Sequence, residues 1–173
     1  MDLGPAIIQR LGASTSGVGL YWPLIVAGLR EFEIDSPLVQ VAAAATVAVE
    51  CGLAFAPLKE KHADPLRQPS LWKLQERYYP STYFGRGFIQ LTWRGNYQSV
   101  GDKLGVDLVS TPDLAMNPTV AARALALYFR DNGVAEAANR QDWRAVRRLV
   151  NGGYIGWDTF NRYVCALLEV VGG

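Results

Sequence analysis

Residues 83–97 read YFGRGFIQLTWRGNY, and this stretch decides how the middle of the chain turns. Gly85 and Gly87 flank an arginine, which predicts a backbone that bends sharply or approaches another segment closely. Phe88 and Leu91 follow, and both are expected to anchor the stretch in a hydrophobic core.

The same stretch carries groups that suit a sugar. Gln90, Thr92 and Asn96 lie next to the aromatic residues Trp93 and Tyr97. A sugar ring has apolar C–H faces and a hydroxylated rim, so aromatic surfaces beside amide and hydroxyl groups complement it. Taken alone, however, the stretch fits a structural turn that leads into an amphipathic helix equally well.

Composition indicates one compact folded domain. The chain has 173 residues, of which 50% are hydrophobic and 19% charged, and its formal net charge is +1. A chain of this length can bury a sizeable core. The one basic cluster is Arg144, Arg147 and Arg148, whose spacing puts them on one helical face. A solvated surface is the ordinary explanation for such a face, so no nucleic-acid partner is expected.

No metal or organic cofactor is expected. Cys51 and Cys165 are too few for a disulfide scaffold and lack metal-ligand spacing, so both are predicted to be free, buried thiols. The single His62 excludes a metal site built on several histidines. The amino terminus does not resemble a signal peptide, and the apolar residues 18–29 are too few to span a bilayer. Synthesis in the cytosol without membrane insertion is therefore predicted.

Hydrophobic periodicity and capping residues predict a mainly α fold. The predicted helices cover residues 3–11, 19–33, 37–50, 70–78, 92–104, 117–132, 142–150 and 157–170. The helix over 37–50 is apolar nearly all round, which is typical of a buried central helix. Residues 53–82 contain four prolines and are otherwise predicted to be irregular.

Glu50 is the exception in the apolar helix. A carboxylate on the last turn of a buried helix is costly to desolvate and lies at the negative end of the helix dipole. Both effects favour its protonated form. A glutamate that reaches solvent at the helix end is the more ordinary explanation of the pattern alone.

Residues 85–97, the signature stretch, resemble the signature of glycoside hydrolase family 19. That family contains plant and bacterial chitinases and the lysozyme-like domains of phage endolysins. Residues 47–52 (VAVECG) resemble the end of the helix that carries the family's catalytic acid, and residues 147–153 (RRLVNGG) its downstream Asn-Gly-Gly element. The resemblance covers about residues 37–170 and keeps the family's order.

This resemblance implies a lysozyme-like, family 19 chitinase-like helical domain with a substrate cleft. Residues 1–173 would form a single catalytic domain, in which the helices of residues 1–36 pack on the region of resemblance. The frame is short and lacks a plant-type set of disulfides, which makes the chain more similar to a phage endolysin than to a plant enzyme.

The resemblance also implies two catalytic carboxyl groups, of which Glu50 is the general acid. Family members invert the anomeric centre, and inverting enzymes hold their two carboxyl groups roughly 6.5–9.5 Å apart to leave room for water. The second acid should therefore lie on a separate loop, where Glu60, Asp64 and Glu76 are available. The spacing in bacterial and phage members favours Glu60, whereas the longer plant interval is closer to Glu76.

Further roles follow from the signature stretch and the Asn-Gly-Gly element. Thr92 matches a hydroxyl that helps to hold the nucleophilic water. The residues expected to line the sugar-binding cleft are Tyr83, Arg86, Gln90, Trp93, Asn96, Tyr97 and Asn151. Arg86 has a structural alternative, in which it pairs with a cleft acid. Many relatives carry an arginine directly after the aspartate that matches Asp158; here Thr159 follows, and Arg162 lies one helical turn further on.

Three functions remain to be compared. The first is an endolysin, a monomer that cleaves the glycan strands of peptidoglycan and reaches the wall through a holin or another release route. The second is a bacterial chitinase; both substrates are β-1,4-linked N-acetylated aminosugars, so the motif cannot separate them. The third is an inactive carbohydrate-binding module, which the presence of Glu50, Glu60 and Thr92 disfavours.

Overall fold

The computed structural model describes residues 2–172, and most of them are helical. The α-helices are α1 (Gly4–Leu11), α2 (Thr15–Glu31), α3 (Pro37–Glu50), α4 (Pro69–Gln75), α5 (Arg94–Leu104), α6 (Pro118–Asp131), α7 (Val134–Asn139), α8 (Trp143–Asn151) and α9 (Trp157–Val171). Short 3-10 helices cover Tyr79–Ser81 and Pro112–Met116, and two strands, β1 (Leu58–Lys59) and β2 (Arg86–Gly87), complete the described elements. The predicted mainly α class is confirmed.

Helix α3 lies in the middle of the hydrophobic core. Ser36 caps it, because its side chain accepts a hydrogen bond from the Val39 amide at 3.2 Å, and Pro37 occupies the first turn. Every residue from Val39 to Ala48 is buried, where the helix packs against α2, α7, α8 and α9. The prediction of a buried central helix that ends at Glu50 is therefore confirmed.

The amino-terminal helices pack onto the same core. Helix α2 lies along α6, and α1 contacts both α2 and α9. The approach of α2 to α6 is close at Gly28, where an added Cβ atom would lie 3.0 Å from the Ala122 carbonyl oxygen. None of the helices described is long and apolar enough to cross a membrane.

The helical prediction differs most from the structure in two places, while the helices predicted over 70–78 and 92–104 are observed as Pro69–Gln75 and Arg94–Leu104. Helix α2 begins at Thr15 instead of residue 19, because Ser14 caps it and accepts a hydrogen bond from the Gly17 amide at 3.3 Å. Helix α7 was not predicted at all. Gly133 ends α6 with a φ of +71° and leads directly into this six-residue helix, which is too short to show a helical period.

The two strands join the irregular segment to the signature stretch. They are antiparallel, with Leu58 opposite Gly87 and Lys59 opposite Arg86. Gly87 has a φ of +80°, and an added Cβ atom there would lie 2.9 Å from the Ala115 carbonyl oxygen. Position 87 thus combines the sharp turn and the close approach that the sequence predicts.

The two thiols have different environments. Cys51 is buried, with its Sγ atom 3.6 Å from the Gly87 carbonyl oxygen; burial, and then the charge of Glu50, raise its pKa to about 12. Cys165 is also free but exposed, so its predicted burial is wrong.

One thiol per chain is therefore expected to react quickly with an aromatic disulfide reagent at pH 8. Cys51 should stay protonated and inaccessible there, and should react only after unfolding, because the thiolate is the nucleophile. The absorbance of the thiolate released from the reagent, measured with and without denaturant, counts the fast-reacting thiols and the thiols that react only after unfolding. Cys165→Ser should remove the fast phase; two fast thiols in the native protein would contradict the expectation.

Candidate active site

A cleft of about 590 Å³ opens between the signature stretch, α5, α6 and the end of α8. Five of the residues predicted from the sequence line it: Gln90, Thr92, Trp93, Asn96 and Asn151. Asn151 comes from the far end of the chain, so the fold brings together two motifs that the sequence separates. The side chains offer amide and hydroxyl groups next to an aromatic ring, as a sugar requires.

Two cleft residues have an unusual backbone conformation. Gln90 has a φ of +51° and Trp93 a φ of +74°, although neither is glycine. Hydrogen bonds from Gln90 Nε2 to the carbonyl oxygens of Leu58 (2.9 Å) and Gly87 (3.0 Å) hold the first, while the Trp93 ring packs edge-on against Tyr78 at 5.1 Å. Such conformations cost energy and cluster at functional sites.

The small polar side chains of the cleft retain unused hydrogen-bonding capacity. Thr92 Oγ1 donates to the Gln90 carbonyl oxygen at 2.9 Å, which leaves its lone pairs able to accept from a water. Asn96 Nδ2 donates to the Thr92 carbonyl oxygen at 2.8 Å. Asn151 Oδ1 is buried and accepts no hydrogen bond from residues 2–172, so it can accept one from a substrate hydroxyl or amide.

Glu50 is held by an arginine on another helix. Its side chain is 18% exposed, and Oε1 accepts a hydrogen bond from Arg147 Nη1 at 2.5 Å. Arg147 Nε also donates to the Ile155 carbonyl oxygen at 2.8 Å, so the guanidinium ties the end of α3 to the turn that follows Asn151. In the described chain, no side chain or amide donates to Glu50 Oε2, so this oxygen has no protein partner.

Sequence reasoning missed the role of Arg147. The prediction of a solvated arginine face is wrong for this residue, which is 2% exposed, whereas Arg144 and Arg148 are exposed. A usable signal was present, because Arg147 precedes Asn151 by four residues and must share its helical face. Arg162 lies one helical turn after the position where many relatives carry an arginine. Its side chain is exposed and lies over the ring of Tyr163, the next residue on α9.

Three donors converge on Glu60. Oε1 accepts hydrogen bonds from Gln75 Nε2 and the Tyr78 hydroxyl, both at 2.8 Å, and Oε2 accepts one from the Gly85 amide at 2.8 Å. An added Cβ atom on Gly85 would lie 3.1 Å from Glu60 Oε2 and 2.7 Å from Gln90 Oε1. The missing side chain of Gly85 leaves room for both groups, so the Glu60 carboxylate and the Gln90 amide lie close to the same backbone position.

The other two acids of the irregular segment have local partners. Glu76 is exposed and its Oε1 lies 3.3 Å from His62 Nε2. Asp64 Oδ1 accepts a hydrogen bond from the Leu66 amide at 2.8 Å and thus stabilises a turn. Glu60 is the one of the three that contacts the signature stretch, as its proposed role requires. Within residues 2–172, no three His, Cys, Asp or Glu side chains are grouped to hold a metal ion.

Three predicted sugar-binding residues are not part of the cleft. Arg86 is 4% exposed, forms an ion pair with Asp113 at 2.7 Å and donates to the Tyr97 hydroxyl at 2.9 Å. Tyr97 is completely buried. Direct sugar contact by these two side chains is therefore corrected to a structural role, and the partner of Arg86 is Asp113 instead of a cleft acid. Tyr83 is half-buried, and its hydroxyl donates to the Val109 carbonyl oxygen at 3.1 Å.

Comparison with known proteins gives the family of this mainly α domain. A family model described as chitinase class I, glycoside hydrolase family 19, matches residues 39–142, which is more than half of the chain. The chain therefore belongs to glycoside hydrolase family 19.

Individual relatives match shorter segments. Endochitinase At2g43590 of Arabidopsis thaliana is 48% identical over 71 residues, which cover 40% of this chain and 26% of the relative. Basic endochitinase CHB4 of Brassica napus is 43% identical over 81 residues, 44% of this chain and 30% of the relative. The matches thus span less than a third of these curated relatives.

Solved structures confirm the fold over nearly the whole chain. Chitinase C from Streptomyces griseus HUT6037 superimposes with a TM-score of 0.67 at 20% sequence identity, covering 98% of this chain and 76% of that protein. At this level of identity the similarity establishes a common architecture.

Proposed function

We propose that this chain hydrolyses β-1,4 glycosidic bonds in polymers of N-acetylated aminosugars. The supporting observation is the cleft itself, which Gln90, Thr92 and Asn151 line, with two anchored carboxylates connected to its walls. Glu50 is linked through Arg147 to the helix that ends at Asn151, and Glu60 lies beside Gln90. Membership of family 19 supports the same chemistry.

The proposed reaction uses the two carboxyl groups in different protonation states. Protonated Glu50 gives its proton to the glycosidic oxygen as the bond from that oxygen to the anomeric carbon breaks. A water molecule, held by the Thr92 hydroxyl, attacks the anomeric carbon from the opposite face and loses a proton to Glu60. The product has inverted configuration, and solvent then removes the proton from Glu60 and returns one to Glu50.

Two substrates of this class have support. Chitin is favoured by the relatives, which are endochitinases. Peptidoglycan is favoured by the lack of a plant-type set of disulfides, since Cys51 and Cys165 are both free. We keep peptidoglycan as the preferred substrate; the endolysin context, the monomeric state and a holin-dependent route from the cytosol remain part of this proposal.

Purified cell walls are expected to be cleaved faster than chitin oligomers of similar length. Loss of turbidity measures the first activity, and chromatography of the reducing products measures the second. Mass spectrometry of the wall digest should show cut glycan strands with intact stem peptides. Efficient chitin turnover with inert walls would establish the chitinase alternative, and release of free peptides would contradict glycosidase activity.

A further inference from the structure

Gln75 is buried at the end of α4 and has a forced orientation. The residue is 1% exposed, and its Oε1 accepts a hydrogen bond from the Ala63 amide at 2.6 Å. Its Nε2 therefore points the other way, where it donates to Glu60 Oε1 at 2.8 Å and to the Lys61 carbonyl oxygen at 3.0 Å. Because the amide can satisfy all three partners only in this orientation, Gln75 acts as a fixed donor to Glu60.

Tyr78 supplies the second donor to the same oxygen. Its hydroxyl lies 2.8 Å from Glu60 Oε1, and its ring packs against Trp93 in the cleft wall. Burial, and then the hydrogen bond to Glu60, raise the pKa of Tyr78 above its usual value. The phenol thus remains protonated, and able to donate, across the pH range of an enzyme assay.

Counting lone pairs shows what these two donors leave for chemistry. A carboxylate oxygen has two acceptor positions, so Gln75 and Tyr78 together fill those of Oε1. Oε2 accepts one hydrogen bond, from the Gly85 amide at 2.8 Å, and keeps one position free. One free acceptor position is what a base needs to take a proton from water.

We propose that Gln75 and Tyr78 are positioning residues for Glu60, which hold its carboxylate in one orientation and in the ionised form that accepts a proton from water. This inference rests on the proposed function, in which Glu60 is the base. Nothing in the sequence motif assigns either residue, because both lie in the irregular segment outside the signature stretch.

A purely structural clamp is the competing explanation, since the same bonds fold the segment back on itself. The protonation of Glu60 distinguishes the proposal from this structural explanation. Hydrogen bonds to a carboxylate favour its ionised form, so loss of a donor must shift the protonation of Glu60 as well as its position. Several other charged groups of this region are paired with one another: Lys59 and Arg86 with Asp113, His62 with Glu76, and Arg67 with Asp64. Lys61, Lys73 and Arg77 are exposed and form no ion pair within residues 2–172.

The chain offers a matched pair of variants. Tyr78→Phe removes the hydroxyl that donates to the Glu60 carboxylate. Tyr79→Phe removes the hydroxyl of the next residue, which lies 3.5 Å from the backbone carbonyl oxygen of Glu60 and not from its carboxylate. Only Tyr78→Phe should move the acid limb of the kcat/KM profile, by about one unit to higher pH, since one pH unit corresponds to the strength of a weak hydrogen bond to a charged group. Wild-type KM should be retained.

Gln75→Glu is the second variant, in case Tyr78→Phe does not fold. Its carboxylate can still accept from the Ala63 amide, but its second oxygen meets Glu60 Oε1, so the acid limb should move further than in Tyr78→Phe. A profile of Tyr78→Phe or Gln75→Glu that matches the Tyr79→Phe profile would overturn the proposal.

A readout independent of activity keeps this test separate from that of the function. Carbon NMR of the Glu60 side-chain carboxyl, assigned with Glu60→Gln, follows its protonation directly. An upward shift of this titration in Tyr78→Phe supports the positioning role of Tyr78; an unchanged titration overturns it and leaves the purely structural explanation. Wild-type protein without hydrolysis of either glycan would instead refute the proposed function.

Discussion

Glu50→Gln is expected to lower hydrolysis on the order of 10²–10⁴-fold or more, because a positioned general acid contributes this much to catalysis. Glutamine cannot give a proton to the leaving oxygen. The structure also shows why the variant should fold: the amide oxygen can still accept a hydrogen bond from Arg147, as Glu50 Oε1 does at 2.5 Å. The initial rate on walls and on chitin oligomers measures the effect.

Folding controls make this result interpretable. Arg147 is buried and keeps its bonds to the Ile155 carbonyl oxygen in the variant, so the turn after Asn151 should retain its conformation. Circular dichroism and the Tm should therefore stay close to those of the wild type, and binding of a sugar oligomer should persist. Near-normal wall lysis by Glu50→Gln would remove Glu50 from the role of acid.

Local sequence signals explain why most of the fold could be predicted. Helix α3 has a capping serine, a proline in its first turn and an apolar surface all round, and each of these features acts within a few residues. Tyr97 could also have been placed correctly. It precedes the buried Val100 and Leu104 by three and seven residues, which is the spacing of a single helical face.

The contacts that complete the site have no such signal. Glu50 and Arg147 are 97 residues apart, so the sequence could place Arg147 on the helical face of Asn151 but could not show its contact with Glu50. Gln75 and Tyr78 fall within the helix predicted over residues 70–78, but helical spacing does not show which distant side chain they contact. Spacing could therefore suggest the acid but not its two donors. These contacts depend on how α8 and the irregular segment pack, which only the three-dimensional structure shows.

Glu60 and Glu76 are expected to respond in opposite ways to the same substitution. Glu60→Gln should lower kcat on the order of 10²–10⁴-fold, because an amide cannot accept the proton of the attacking water. Glu76→Gln should leave kcat near the wild-type value. The Glu76 carboxylate is exposed and its contact with His62 is a surface pair, a type that contributes little to stability.

The Glu60 variant should also lose stability. In the wild type, Glu60 Oε2 accepts a hydrogen bond from the Gly85 amide at 2.8 Å. If the amide oxygen of the new glutamine keeps the hydrogen bonds to Gln75 and Tyr78, its Nε2 atom replaces Oε2 and faces the Gly85 amide. Two donors then face each other. A buried donor left unpaired costs about 1–3 kcal/mol, so the Tm should fall while Glu76→Gln keeps that of the wild type.

Measurement of oligosaccharide binding separates the two effects of Glu60→Gln. Gln90, Thr92 and Asn151 remain in the cleft, so calorimetry at a temperature where the variant is folded should give a Kd similar to that of the wild type. Retained binding with lost turnover identifies Glu60 as a chemical group. The reverse result, an active Glu60→Gln and an inactive Glu76→Gln, would assign the base to Glu76 and the longer, plant-like interval to this chain.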